Sequence, residues 1–249
     1  MNGLRKRTTS AAIAAVCSVL AFCAQPAAGR DGQLEATTRY FVVFLRPDPA
    51  RKTLTTEEAE RIQAAHMANI HKMADDGVLM SAGPFDDAQR TISGIFVFKV
   101  ESLDRAKAIA ANDPTVVEHR NTIDVHAWVG PAGIGDEYFR LHRLDPKTPE
   151  NMQVHPFCML LQGDKWESRR DRDEQLIAHE RYISDLRARG KLGAGGRIEG
   201  PDDLVGLVIF KAIPTEEAQQ LLGEDPAVKA GVLRVEYHHW WSSDHVLPW

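Results

Sequence analysis

The chain spells one unit twice, and that repetition restricts its fold more than any other feature of its 249 residues. The stretch NDPTVVEHRNTIDVHAW (112–128) returns as EDPAVKAGVLRVEYHHW (224–240), each with Asp-Pro near its start and a histidine two places before a tryptophan. An offset of 112 or 113 positions aligns the rest: His66 with His179, Gly77 with Gly190, Gly83 with Gly196, Gly94 with Gly206, Asp113 with Asp225, His126 with His238 and Trp128 with Trp240. The single slip in register falls between the second and third of these glycines, where a turn between strands tolerates a change of length. Two copies of one folding unit are therefore expected, over residues 38–129 and 154–243, with the Gly- and Pro-containing residues 130–153 as a linker.

Within each copy the apolar pattern predicts the same order of elements. YFVVFL (40–45) and PFCMLL (156–161) read as strands, being short and rich in aliphatic and aromatic side chains. A long helix follows. In the first copy it opens on a Thr55/Glu58 capping box, places Ile62, Ala65, Ile70 and Met73 on one face, and stops at Gly77; in the second it runs from about residue 168 to Gly190. VLMSAGPF and ISGIFVFKV then form a hairpin, as do KLGAGGRI and LVGLVIFKA. A second helix over 103–112, or 215–223, ends at Asp-Pro because proline disfavours helical geometry in the residue before it. TIDVHAW or LRVEYHHW closes the unit as a strand. The order β-α-β-β-α-β is the split-βαβ, ferredoxin-like pattern, an α+β fold with both helices on one face of an antiparallel sheet. The other face is bare, so the two tandem units are expected to cover each other as an intrachain pseudo-dimer. Further pairing of the tandem chain into a larger homo-oligomer stays open.

The first 29 residues carry Arg5, Lys6 and Arg7, then an apolar run over 11–24, then small residues, the pattern of a secretory signal peptide. The run is short for a bilayer span, so the mature chain is expected to be periplasmic or secreted, outside the membrane. Removing the leader takes three positive charges and no negative ones, moving the formal charge from −5 to −8, which disfavours a nucleic-acid partner. Cys17 and Cys23 leave with it. Cys158, within PFCMLL, is then the one remaining cysteine, so no internal disulfide is available and the thiol reads as buried and inert.

His66 on the first helix, the Gly-x-Leu-x-x-Ala-Gly-Pro-Phe strand at 77–85, Gly94 opening the third strand and Asn-Asp-Pro at 112–114 occur together in an order and spacing that resembles the YCII-related family. The resemblance covers about residues 38–128 and 155–241. It implies the dimeric α/β-barrel form of the ferredoxin-like fold, in a family that includes an enzyme removing chloride from a chlorinated hydroquinone. It also implies a polar pocket in each copy, built on His66 with Asp113 and on His179 with Asp225. An imidazole can take and return a proton near neutral pH, and a carboxylate beside it fixes the tautomer and stabilises the imidazolium. The same residues have a plain structural use, since a helix histidine can bond a backbone carbonyl and Asp before Pro is a common turn residue.

The copies differ where Ser81 aligns with Ala194 and Pro84 with Arg197, which favours the first copy as the working one, with Ser81 as a hydrogen-bond donor to ligand. His126 with Trp128, and His238 with Trp240, project from one sheet face; they line a ligand pocket or lie at the pseudo-dimer seam. No metal is expected. His66 and His71 lie on different helix faces, and the adjacent His238 and His239 point opposite ways on a strand. No cofactor is expected either, because no haem- or flavin-ligand pattern is recognisable and the Gly-rich stretch 193–200 opens no helix. The resulting expectation is acid–base chemistry of the lyase, isomerase or dehydrochlorinase kind on a small aromatic or enolisable molecule; the alternative is non-catalytic binding of a small ligand.

Overall fold

Each repeat folds into the expected unit. In the computed structural model, which describes residues 36–86, 90–168 and 170–249, the first copy runs β1 (Thr37–Pro47), α1 (Thr56–Asp75), β2 (Leu79–Pro84), β3 (Gly94–Phe98), α2 (Leu103–Ala111), α3 (Pro114–Val117) and β4 (Asn121–Pro131). After α4 (Asp136–Leu144), the second copy runs β5 (Met152–Gln162), α5 (Arg172–Ala188), β6 (Leu192–Glu199), β7 (Leu204–Phe210), α6 (Thr215–Gly223), α7 (Pro226–Lys229) and β8 (Leu233–Ser243), followed by a 3-10 turn over Asp244–Val246. The predicted signal peptide, residues 1–29, lies outside the described residues.

Three local features depart from the sequence reading. Asp-Pro does more than stop a helix: Asp113 and Asp225 cap a further helical turn whose first residue is the proline, a position where the missing N–H costs nothing. α5 begins at Arg172 rather than near residue 168, because Gly163 and Lys165 donate backbone hydrogen bonds to Val232 and Gly231 and hold the preceding stretch as a turn. The expected linker contains the nine-residue helix α4.

The strands form one eight-stranded antiparallel sheet in the order β2-β3-β1-β4-β6-β7-β5-β8. The two copies meet where β4 pairs with β6, Ala127 to Val129 opposite Glu199 to Arg197. At the opposite edges, Phe85 just after β2 bridges to Trp240 on β8, and Asp86 N–H donates to His239 O at 2.9 Å. Phe85 and Trp240 are the repeat equivalents of Ile198 and Trp128, so the second seam repeats the first and the sheet closes on itself. This explains why 40–45 is apolar without alternation. Val42 and Phe44 face a common interior with Ile95, Phe157, Met159 and Leu207, while Phe41 and Val43 pack outward under α1 and α2 against Met73, Ala106 and Ala110. Cys158, Leu160 and Phe210 make the matching outer layer with Leu186, Ala218 and Leu222. Cys158 is fully buried, and burial pushes its thiol well above the usual range, as expected of an inert cysteine.

Each seam is anchored by an indole from one copy lying over a glycine of the other. Trp128 and Trp240 are each 1% exposed. An indole buries roughly 200 Å², worth about 5 kcal/mol at about 25 cal/mol per Å², whereas each ladder hydrogen bond nets about 1 kcal/mol. Neither indole N–H has a hydrogen-bond partner among the described residues, a cost of about 1–3 kcal/mol that the burial outweighs. A Cβ on Gly83 would collide with Trp241 O and the Trp240 indole nitrogen, and one on Gly196 with Val129 O and the Trp128 indole nitrogen. Both glycines are therefore required by the close approach across the seam, which accounts for a glycine at this position of each hairpin. Gly196→Ala is expected to cost about 1–3 kcal/mol of stability by overpacking a backbone contact that cannot swing away; urea unfolding measures it, and an unchanged midpoint would contradict the seam geometry.

Candidate functional site

The capping box at Thr55 and Glu58 starts α1, and the helix carries His66 and Asn69 toward the turn capped by Asp113. Asp113 is fully buried, so its lone pairs must be met by protein. They are. Its Oδ1 accepts from the Thr115 backbone N–H at 2.9 Å and hydroxyl at 2.6 Å, its Oδ2 from Asn69 Nδ2 at 3.0 Å, and both oxygens lie 2.9 Å from His66 Nδ1. Burial alone pushes this carboxyl upward, but the bonds from His66, Thr115 and Asn69 outweigh it and hold it below the usual carboxylate range. An ionised carboxylate only accepts, so Nδ1 of His66 carries the proton and Nε2 is the basic nitrogen. The support continues outward: Asn121 donates to Thr115 Oγ1 at 3.1 Å, and Ser93 donates to Asn121 Oδ1 at 2.8 Å.

His66 opens onto a cavity of about 550 Å³ beside β2. Met67, Ile70, Ile95 and Phe96 give it an apolar body, and Tyr138 and Phe139 of α4 form part of its wall, so the linker belongs to the site. The Tyr138 hydroxyl donates to Glu150 at 3.0 Å; burial and that carboxylate push it up to about 12. Ser81 lines the cavity beside the irregularity in β2 between Leu79 and Ser81, the sort of bulge that re-aims a side chain near a site. Its hydroxyl is buried and has no partner among the described residues, and the same holds for Ser242 on β8, which lines the cavity from the second copy.

The second copy keeps the dyad and loses its surroundings. His179 Nδ1 lies 2.6 Å from Asp225, and Asp225 accepts from Ala227 N–H at 2.9 Å. Asn69, Thr115, Asn121 and Ser93, however, are replaced by Tyr182, Ala227, Leu233 and Val205. Tyr182 turns to the Leu221 carbonyl at 2.7 Å. The space equivalent to the cavity is partly taken by the residues after β8. Leu247 lies where a side chain on Gly193 would go, and Trp249 packs against Gly195 and lies 4.9 Å from the Arg187 guanidinium. Gly193, Gly195 and Arg187 are the equivalents of Met80, Ala82 and Ala74, which line the first cavity. Leu247 is the repeat equivalent of Gly135, where a Cβ in the first copy would collide with the Met80 backbone carbonyl.

Of the residues singled out in the sequence, the structure joins His66 with Asp113 and Ser81 at the cavity, and His179 with Asp225 outside it. It does not bring His126, Trp128, His238 or Trp240 to the cavity wall. All four are buried on the interior face of the barrel or at its seams, with His126 Nε2 2.7 Å from Asp124 and its ring edge-on to Phe44, and His238 edge-on to Phe85. Their strand register places them opposite Val42 and Phe157, which fixes their direction inward. Asn69, Thr115, Asn121, Tyr138 and Ser242 escaped the sequence reading. The signal for four of them is positional: a small polar side chain in the first copy becomes apolar or a different polar group in the second at Asn69/Tyr182, Thr115/Ala227 and Asn121/Leu233, and Gly130 as the equivalent of Ser242 marks the reverse exchange.

The YCII-related domain family matches the chain twice, over residues 40–125 and 156–240. No protein of curated function is matched. Among solved structures, an arginine-to-glutamate variant of chlorite dismutase from Candidatus Nitrospira defluvii aligns with a TM-score of 0.54 at 10% identity, over 85% of this chain and 94% of that one. An arginine-to-lysine variant of the same enzyme gives 0.53 at 10% identity, over 86% and 94%. A heme-binding protein from Thermus thermophilus gives 0.49 at 14% identity, over 85% and 95%. At such identities the likeness to the dismutase is one of fold.

The lowered carboxyl of Asp113 makes a pH prediction. A carboxylate whose folded value lies below its unfolded value of about 4 contributes stability that is present in full above about pH 4 and is lost as pH falls through the folded value. Asp113→Asn is expected to remove that part of the acid dependence and to cost about 1–3 kcal/mol near neutral pH. Urea unfolding of both proteins across the acid range checks this, and parallel acid limbs would contradict it.

Proposed function

The chain belongs to the YCII-related family in both halves, and on that premise we propose that only its first copy is a working site, in which His66 moves a proton on a small, largely apolar ligand. Nε2 of His66 takes a proton from the ligand and returns it to another of its atoms, while Asp113 stays ionised, holds the tautomer and stabilises the imidazolium. This is lyase- or isomerase-like acid–base chemistry. The observation that carries the reading is the meeting of a His66–Asp113 dyad, its carboxylate fully hydrogen-bonded, with buried hydroxyls that have no partner among the described residues, at one cavity. In the second copy the His179–Asp225 pair serves the fold, bracing α5 against the turn that Asp225 caps. The predicted leader supports placing the mature chain outside the cytoplasm, a placement that retention of residues 1–29 in the mature chain would contradict.

Exchange of the benzylic protons of phenylacetone in D₂O, followed by proton NMR, tests the chemistry without knowledge of the natural substrate. The protein is expected to accelerate exchange. His66→Gln should remove about 10²-fold or more of that acceleration, the usual reach of a positioned base, and His179→Gln should leave it nearly intact. Acceleration that survives His66→Gln would sink the assignment. Binding of phenylacetone at His66 with no exchange would favour the alternative, a small-ligand-binding module.

A further inference from the structure

We infer that Ser242, supplied by the last strand of the second copy, is a positioning residue of the first copy's site, and that with Ser81 it selects a neutral ligand bearing a carbonyl or hydroxyl oxygen. This rests on the cavity beside His66 being the ligand site. Ser242 is 1% exposed and Ser81 6%, both line the cavity, and neither hydroxyl has a partner among the described residues. Buried hydroxyls are nearly always hydrogen-bonded, so two unmatched ones on residues that line one cavity mark where a ligand's polar edge belongs. The neighbouring serine shows the contrast: Ser243 Oγ accepts from His245 N–H at 3.2 Å and is engaged in the turn after β8.

The repeat supplies an internal control. The positions equivalent to Ser81 and Ser242 are Ala194 and Gly130, so the same fold closes its other half without either hydroxyl. The pair is thus not needed to build the barrel. Charge narrows the ligand further. Among the described residues no Lys or Arg lines the cavity, and the acidic group that does, Glu150, already accepts from Tyr138. An anion would enter a largely apolar space where only the His66 and His71 imidazoles, and no Lys or Arg, could meet its charge, whereas a neutral ring with one oxygen loses little on leaving water. Tandem fusion makes such a site attainable. In a dimer of identical chains both sites change together, but here β8 can furnish a serine to one seam while β4 keeps glycine at the other.

Three isosteres separate the terms: phenylacetone, neutral with a carbonyl; phenylacetate, anionic; and isobutylbenzene, without oxygen. Their binding to the mature full-length chain is titrated by ¹H–¹⁵N NMR, reading His66 and the β2 amides. Phenylacetone is expected to bind at least about ten-fold more tightly than phenylacetate. Ser242→Ala should weaken phenylacetone about five-fold, the size of one hydrogen bond, and leave isobutylbenzene within about two-fold. Ser81→Ala, which only installs the residue of the second copy, should act in the same direction. Phenylacetate binding as tightly as the ketone, or a Ser242→Ala chain with native amide shifts and unchanged ketone affinity, would overturn the inference while leaving the dyad reading in place. Failure of all three probes to shift His66 would overturn both.

Discussion

Everything in this molecule depends on two indoles crossing to the opposite repeat. An antiparallel sheet with helices on one face leaves the other face wet, and a single βαββαβ unit of this length has no second layer with which to cover it. Trp128 and Trp240 close the two seams by lying over Gly196 and Gly83, so the inner faces of both repeats become one shared core containing Phe44, Phe157, Met159 and Leu207. The burial term of the two rings exceeds what the short seam ladders supply. Fusion of the two copies keeps this closure intramolecular, independent of protein concentration.

Once closure is secured twice over, the two repeats are free to diverge in the rest. The first keeps a run of polar support, from Asp113 through Thr115 and Asn121 to Ser93, around a cavity. The second replaces the same positions with Ala227, Leu233 and Val205 and brings Leu247 and Trp249 into the matching space. A buried polar chain stabilises only when each member is satisfied, so trading it for apolar packing suits a copy whose task is structural.

Much of the fold was legible because the duplication checks itself. Strand, helix and hairpin assignments had to hold in two sequences with one spacing, and Gly77 and Gly190, both at positive φ, mark the same helix end. The dyad was legible through the family resemblance, supported by the return of His66 and Asp113 as His179 and Asp225 in the second copy. Less could be read where contacts join residues far apart in the chain. Ser242, with Ser243 and Val246, reaches a site whose remaining lining residues lie between positions 45 and 152, and no local pattern announces that. The direction of His126 and His238 into the barrel follows from strand register, which a sequence gives only as two alternatives. α4 looked like linker because its role as a cavity wall depends on how the closed barrel presents β2.

The central claim is that one of two equivalent dyads faces a ligand and the other is covered by the chain itself. A crystal structure of the mature protein soaked with a mixture of neutral aromatic ketones and amides tests this most directly. The account predicts density within hydrogen-bond reach of His66 Nε2, with Trp249 still packed on Gly195. Density beside His179 with Trp249 displaced, or equal occupancy at both dyads, would contradict it.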